Sequence, residues 1–281
     1  MTGASTGIGR ATAEALVEHG FHVFGSVRKQ ADGESLREQL GDAVTPLHFD
    51  VTDAEAIAAA VPVVQEYVGD DTLVGLVNNA GVAIGGALMH MPDDELRRQF
   101  DINVFGLMAV TRAFLPLLGA RRPCPGPPGR IVNISSVAGR ISAPFVGAYS
   151  ASKHAVEALS DSLRRELMIY GVDVVVIQPG AIKTPIWDKA EAEDTSRYAD
   201  THYAEIAARF QEFALQKGRN GLETSRVSGT IVRALTVRRP KTRYPIPDEP
   251  WMGWRLPLML PERWIDQAIA KQLGLTPPKD D

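Results

Sequence analysis

The chain holds 281 residues, 44% of them hydrophobic and 23% charged, an ordinary balance for a globular protein. A formal net charge of −4 gives no reason to expect a nucleic-acid partner, and Cys124, the only cysteine, excludes an internal disulfide and suits a reducing compartment. No basic-then-apolar leader opens the sequence and no apolar run approaches the ~20 residues that span a bilayer, so the expectation is a cytoplasmic protein without a transmembrane segment.

The first element is a glycine-rich loop, Met1-Thr2-Gly3-Ala4-Ser5-Thr6-Gly7-Ile8-Gly9, running into the helical stretch Arg10–Leu16. Glycine serves where the backbone turns tightly or a ligand must come close. Backbone N–H groups at the start of the helix would face a pyrophosphate, favoured by the helix dipole. Ser5 and Thr6 add hydroxyl donors at the same edge. The spacing of Gly3, Gly7 and Gly9 differs from G-x-G-x-x-G and points to a particular branch of dinucleotide binders. Such a loop normally follows a parallel strand. The expectation is therefore a truncated start, with the first strand missing from the supplied sequence and a short apolar run encoded upstream. Without that strand its two neighbours would lose partners, at about 1–3 kcal/mol for each unpaired group.

The next strand, Phe21–Val27, ends without an acidic residue, and Arg28 and Lys29 follow at once. A carboxylate there would hold the ribose 2′-hydroxyl of NAD, whereas a guanidinium suits the 2′-phosphate of NADP(H). The reading is NADP(H), with NAD(H) left open and a solvated basic turn as the plain alternative. Short β-branched runs at Val44–Phe49, Thr72–Asn78, Arg130–Ile134 and Val172–Gln178 read as buried parallel strands. Helical stretches fall between them at Ala54–Tyr67, at Asp93–Leu118 (two helices meeting near Asn103) and at Ala148–Tyr170. This alternation predicts an α/β doubly wound parallel sheet with helices on both faces. The proline-rich Arg121–Gly129 should be an exposed loop, with Cys124 incidental in it. Residues 181–221 read as an insertion over the site, with a helix around Tyr203–Gln216. A helix at Thr224–Val237 and a strand at Thr242–Ile246 follow. The aromatic tail at Pro250–Pro261 should fold back on its own domain or a sister subunit, weak membrane association through 250–265 being the other reading.

Tyr149 and Lys153 stand four residues apart, on one face of a helix. A free tyrosine titrates near ~10, and a neighbouring lysine favours the phenolate. Ser136 lies just beyond the strand Arg130–Ile134, where ligands bind in open α/β sheets, and can polarise a carbonyl beside the tyrosine. Asn78-Asn79-Ala80-Gly81 sits at the end of another strand, where amides satisfy backbone groups and glycine admits a cofactor. No metal cluster is read.

These motifs together resemble the short-chain dehydrogenase/reductase superfamily, of the single-domain kind, over residues 2 to about 246. Thr2-Gly3-x-x-x-Gly7-Ile8-Gly9, Asn78-Asn79-Ala80-Gly81 and Tyr149-x-x-x-Lys153 match in order and spacing. The resemblance implies a Rossmann-type sheet of order 3-2-1-4-5-6-7 spanning 1–281, with a lid at 181–221 and a C-terminal extension at 247–281. It implies hydride exchange with NADP(H), in which Tyr149 moves the proton, Lys153 holds the ribose and lowers the tyrosine pKa, Ser136 orients the substrate oxygen and Asn103 supports a water-linked relay. It further implies cofactor contacts from Asp50 and Val51 to the adenine, from Asn79, Ala80 and Gly81, and from Pro179, Gly180, Ile182 and Thr184 around the nicotinamide, Ile182 through its backbone. Val82, Ile84, Phe145, Val146, Ile186, Trp187 and Tyr203 would border the substrate, with Phe145 and Trp187 in contact. Their apolar character favours a lipophilic ketone, aldehyde or alcohol, and the C-terminal portion resembles 17β-hydroxysteroid and retinol dehydrogenase-like members. The alternatives are a 3-oxoacyl-thioester reductase, which the long insertion and tail argue against, and a non-catalytic NADP(H)-binding sensor, which the intact Ser136/Tyr149/Lys153 set argues against. A homo-oligomer, dimer or tetramer, is the family's habit.

Overall fold

Val174, Val175, Val176 and Ile177 are all buried, a run that only a sheet covered on both faces accommodates. The computed structural model describes residues 1–124, 126–192 and 194–277; Pro125 of the proline-rich loop, Glu193 of the insertion and residues 278–281 of the tail lie outside the described residues. In chain order the elements are α1 (Gly7–Glu18), β1 (Val23–Val27), α2 (Gln30–Leu40), β2 (Val44–His48), α3 (Ala54–Val68), β3 (Gly75–Asn78), α4 (Asp93–Phe100), α5 (Leu107–Phe114), β4 (Arg130–Ile134), α6 (Gly147–Glu166), β5 (Asp173–Pro179), α7 (Ile186–Glu191), α8 (Ala204–Arg219), α9 (Thr224–Thr236), β6 (Arg243–Ile246) and α10 (Glu262–Leu273).

All strand pairings are parallel, as the alternation of strand and helix requires. The strands fall in the expected Rossmann order but in two pieces, β2-β1 and β3-β4-β5-β6. Among the described residues, only Met1–Ala4 make ladder-like bonds between β1 and β3. Thr2 N–H donates to the Val77 carbonyl at 2.9 Å, and Ser26 N–H donates to the Met1 carbonyl at 2.9 Å. The glycine-rich loop is thus delivered at the carboxyl ends of the central strands.

Two apolar layers cover the sheet. On one face Leu16 of α1 and Val227 and Ile231 of α9 pack on Val77, Val132, Val175 and Ile177. On the other, Val64 of α3, Val110 and Phe114 of α5 and Leu163 of α6 pack on Phe24, Leu76, Ile131 and Val174. The alternation of Ile131 and Val132 between the two layers is the period of two that a strand imposes. Ile231 is fully buried, and truncating such a side chain to alanine costs about 2–5 kcal/mol.

The helices α4 and α5 meet through a π-helical turn, Asp101–Gly106, that contains Asn103. The continuous helical stretch Asp93–Leu118 is long and apolar enough to cross a membrane by length and composition alone, contrary to the sequence expectation, but half of its apolar window is buried inside the protein. Val104, Leu107, Val110 and Phe114 belong to that buried half. Three helices were not anticipated, α2, α7 and α10. In the tail α10 rests on α8, while Trp251, Met252, Met259 and Trp264 are largely exposed in the single chain rather than folded onto its core.

Candidate active site

The glycine-rich loop takes its shape from three glycines. Gly3 and Gly7 have φ of 67° and 55°, a region that other residues enter at a cost. A Cβ at Gly9 would land on the carbonyl oxygen of Gly3, so no side chain fits between the loop and α1. Gly3 N–H donates to Ser26 Oγ at 3.1 Å. From the other side, Asn79 Nδ2 donates to the carbonyls of Thr2 and Gly3 at 3.1 and 3.0 Å, while the N–H groups of Asn79 and Ala80 both donate to Thr2 Oγ1 at 3.0 Å. Asn79 is therefore a staple for the loop. Thr6, the cap residue of α1, makes no side-chain cap, which leaves the first N–H groups of the helix directed at an incoming anion. A bare backbone cradle at a helix start fits a pyrophosphate.

Arg28 and Asp50 stand at the ends of β1 and β2, with Arg28 Nη1 and Asp50 Oδ2 3.7 Å apart, the guanidinium largely in solvent. Asp50 Oδ1 also accepts from Thr52 N–H at 3.0 Å. Val51 sits differently from Asp50: it is buried, with its side chain and its carbonyl both against Gly106.

At the ends of β4 and β5 the remaining groups converge. The N–H of Ala138 donates to Ser136 Oγ at 3.1 Å, and Ser136 Oγ–H reaches the Pro179 carbonyl at 3.3 Å. The Ser136 hydroxyl also lies near the Tyr149 phenol, in the sense that lowers its pKa. Lys153 Nζ donates to the Ile134 carbonyl at 2.8 Å and lies 5.8 Å from the centre of the Tyr149 ring. Burial holds the Lys153 ammonium down from 10.5 to about 8, with the Glu157 carboxylate opposing that fall. Tyr149 departs from the sequence expectation. In the protein alone burial raises its pKa, and the Ser136 hydroxyl only partly counters this. The buried lysine is itself desolvated, and its charge does not outweigh the loss of water around the phenol.

Asn103 is brought to the same place by the π-helical turn, but its amide is occupied. Asn103 Oδ1 accepts from Val82 N–H at 2.9 Å; Nδ2 donates to the Val82 carbonyl at 2.9 Å and to Ser152 Oγ at 3.0 Å. The side chain therefore pins the segment after Gly81 rather than projecting into the site. Gly81 lies against both Asn103 and Lys153, where a Cβ would sit 3.2 Å from Asn103 Oδ1 and 3.7 Å from Lys153 Nζ.

The segment after β5 closes over the loop. Thr184 Cγ2 lies 3.2 Å from where a Gly7 Cβ would be. Ile182 forms a bridge to Leu222, in which Leu222 N–H reaches the Ala181 carbonyl and Lys183 N–H the Leu222 carbonyl. That pattern turns the N–H and carbonyl of Ile182 itself away from Leu222, and Trp187 Nε1 takes the carbonyl at 2.8 Å. Asp248 Oδ1 accepts from Ala181 N–H at 3.3 Å, and Lys217 of α8 pairs with the same carboxylate at 3.3 Å.

Of the expected substrate-side residues, Phe145 and Trp187 are the most constrained. Phe145 is the one non-glycine residue with positive φ (62°) among the described residues. Its buried ring stacks on Phe210 at 5.1 Å and meets Tyr203 edge-on at 5.9 Å. Trp187 packs across Gly218 of α8. Both hold the insertion down. The backbone of Val82 is held by Asn103, and Ile84 N–H donates to Gln99 Oε1 at 2.8 Å. Sequence reasoning missed Tyr198, whose hydroxyl accepts from Ala87 N–H at 3.0 Å, and the buried Glu157, which accepts from Gln178 Nε2 at 3.0 Å and from Arg243 Nε at 2.8 Å.

A doubly covered parallel sheet whose strand ends gather a phosphate loop, a serine, a tyrosine and a lysine defines a nucleotide-dependent oxidoreductase of the α/β class. The chain belongs to the short chain dehydrogenase family, whose model matches residues 1–195. It is 42% identical over 273 residues to an NADPH-dependent 3-dehydrocapnine reductase of Ornithobacterium rhinotracheale, covering 97% of this chain and 96% of that one. It is 37% identical over 302 residues to human retinol dehydrogenase 16, covering 99% and 89%. A solved short chain dehydrogenase/reductase from Burkholderia phymatum in complex with NAD superposes with a TM-score of 0.74 at 27% identity, covering 100% of this chain and 96% of the other.

Proposed function

We propose that the protein interconverts a lipophilic ketone or aldehyde and the corresponding alcohol, with NADP(H) as the hydride carrier. The observation that carries this reading is the nearness of Ser136 to Tyr149, with Lys153 Nζ 5.8 Å from the ring, at the strand ends that also present the phosphate loop. Arg28 beside the ribose end of the loop, with no acid at the end of β1, supports the 2′-phosphate form of the dinucleotide. The NADPH dependence in the name of the bacterial relative agrees with it.

The bound dinucleotide supplies or accepts the hydride; the protein's own groups manage the oxygen and the proton. Tyr149 Oη donates a proton to the carbonyl oxygen as it gains charge, or receives one in the alcohol direction. Ser136 Oγ donates a hydrogen bond to the same oxygen and sets its distance from Tyr149. A phenol raised by burial is a protonated donor at neutral pH, which suits reduction. The Lys153 ammonium makes the phenolate left behind less costly. Loop Gly180–Thr184 and Trp187 exclude water from this corner. The apolar Val82, Ile84, Val146 and Ile186 around it favour a lipophilic substrate over a sugar or other charged one.

Tyr149→Phe tests the assignment. Turnover of aliphatic and cyclic ketones with NADPH should fall by about 10³-fold, with NADPH affinity measured by fluorescence unchanged. A phenylalanine variant that keeps wild-type turnover would refute the proton-donor role.

A further inference from the structure

Among the described residues, Lys153 and Glu157 are the only charged side chains that are buried. They stand one turn apart on α6, and residues four apart share a helix face. That face meets three strands in succession. Lys153 Nζ donates to the Ile134 carbonyl of β4 at 2.8 Å. Glu157 Oε1 accepts from Gln178 Nε2 of β5 at 3.0 Å, and Glu157 Oε2 from Arg243 Nε of β6 at 2.8 Å. The turn that carries Ser136 packs on the same stretch of helix: a Cβ at Gly139 would stand 3.1 Å from both Glu157 Cγ and the Lys153 carbonyl oxygen. A buried carboxylate is costly even when it is paired. The junction of α6 with β6 does not require one, since Asp161, a further turn on and nearer solvent, already binds Arg243 Nη2 at 3.0 Å. What the position of Glu157 does provide is a field at Lys153, where its carboxylate opposes the loss of the proton that burial favours. The other polar groups buried here from the neighbouring elements are neutral: Ser135 beyond β4, Gln178 of β5, Gln99 of α4 and Asn103 of the π-helical turn. Tyr149 of α6, and Arg243 with Asp161 beside it, are the remaining titratable or charged groups that face the pair.

We propose that Glu157 is a positioning residue for the reaction assigned above: its carboxylate, fixed between Gln178 and Arg243, keeps the Lys153 ammonium charged beside Tyr149. Glu157 acts through Lys153 and transfers no proton itself. Its consequence for turnover rests on that reaction, whereas the coupling of the two charges can be read without any substrate.

The test follows the alkaline limb of kcat/KM for ketone reduction with NADPH, which reports groups of the free enzyme, in the wild type, Glu157→Gln and Asp161→Asn. Without the carboxylate, Lys153 should give up its proton about 1 pH unit or more earlier. The limb of Glu157→Gln should therefore move down by that amount. That of Asp161→Asn, which loses only the outer half of the α6–β6 clamp, should stay in place. A limb unmoved in Glu157→Gln, or moved equally in both variants, overturns the proposal and leaves Glu157 a clamp. The second measurement needs no substrate. Urea unfolding compares Lys153→Met with its parent in the wild-type and Glu157→Gln backgrounds, and the stability gap between them should begin to close about 1 unit lower in pH in the glutamine background. Closure over the same pH range in both backgrounds overturns the proposal. If the gap shifts although the wild type turns over no ketone, the coupling stands and the assigned reaction falls instead. Should Glu157→Gln not fold, the double variant Glu157→Gln/Arg243→Met removes both charges of the pair, a replacement that buried pairs tolerate, and is read in the same two ways.

Discussion

In Lys153→Met the buried ammonium beside Tyr149 is exchanged for a neutral side chain of similar length. Holding Lys153 down from its ordinary 10.5 to about 8 corresponds to about 3 kcal/mol of unfavourable interaction in the charged form. Methionine removes that cost but leaves the Ile134 carbonyl without its donor, a loss of about 1–2 kcal/mol. The net expectation at pH 7 is a variant more stable by roughly 1–2 kcal/mol, or about 2–4 °C per kcal/mol in thermal midpoint, yet with turnover lost. The pH dependence separates this cause from simple repacking. Below about 8 the lysine is protonated in both folded and unfolded chains, and the folded state bears the whole cost. Between about 8 and 10.5 the unfolded chain binds the additional proton, so wild-type stability rises with pH relative to the variant. The assay is urea unfolding of both proteins from pH 6.5 to 10. The gap should be widest at the acid end and close toward pH 10. A variant less stable at pH 7, or a gap independent of pH, would refute the reasoning.

Two further substitutions probe the cofactor end. Gly9→Ala places a methyl group on the Gly3 carbonyl; the forced shift of the loop should weaken NADPH binding by ~30-fold or more, an overpacking effect of about 2 kcal/mol, with far-UV circular dichroism unchanged, and wild-type affinity would count against the cradle. Arg28→Ala should raise the NADPH dissociation constant ~10–100-fold through loss of a charge-assisted bond of about 1.5–3 kcal/mol, leaving NADH affinity unaffected in parallel titrations; equal losses for both dinucleotides would remove Arg28 from the 2′-phosphate.

What the sequence disclosed and what it hid follow from the range of the interactions. Arg130–Ile134 is bounded by turn residues and buried from Ile131 onward, so its limits were plain. The glycine loop, Asn79, Ser136, Tyr149 and Lys153 each sit at a strand end or on a helix face, where local spacing carries the geometry. Glu157 and Arg243 are 86 residues apart, and nothing in either neighbourhood announces the pair. Tyr198 was equally silent, since its partner Ala87 is 111 residues away. The helix α2 (Gln30–Leu40) was overlooked because it buries only Gly33 and Leu36, too little apolar surface for a clear period. The direction of the Tyr149 pKa depends on how much water the fold removes, which spacing does not encode. The same holds for Phe145 and Trp187. Phe145 meets Phe210 and Trp187 crosses Gly218, partners far along the chain from either residue.

The first of these contacts has a consequence for how the enzyme changes its substrate. Phe145 precedes Tyr149 by four residues and stacks on Phe210 in the middle of α8. Tyr149 and the insertion therefore hang from one aromatic pair. Remodelling the insertion while leaving the stack intact alters the shape of the pocket without moving Tyr149. Exchanging either ring alone shifts both at once. A chimera carrying a relative's insertion should work only when both aromatic partners travel together, so pocket diversification on this scaffold proceeds around the Phe145–Phe210 joint and not through it.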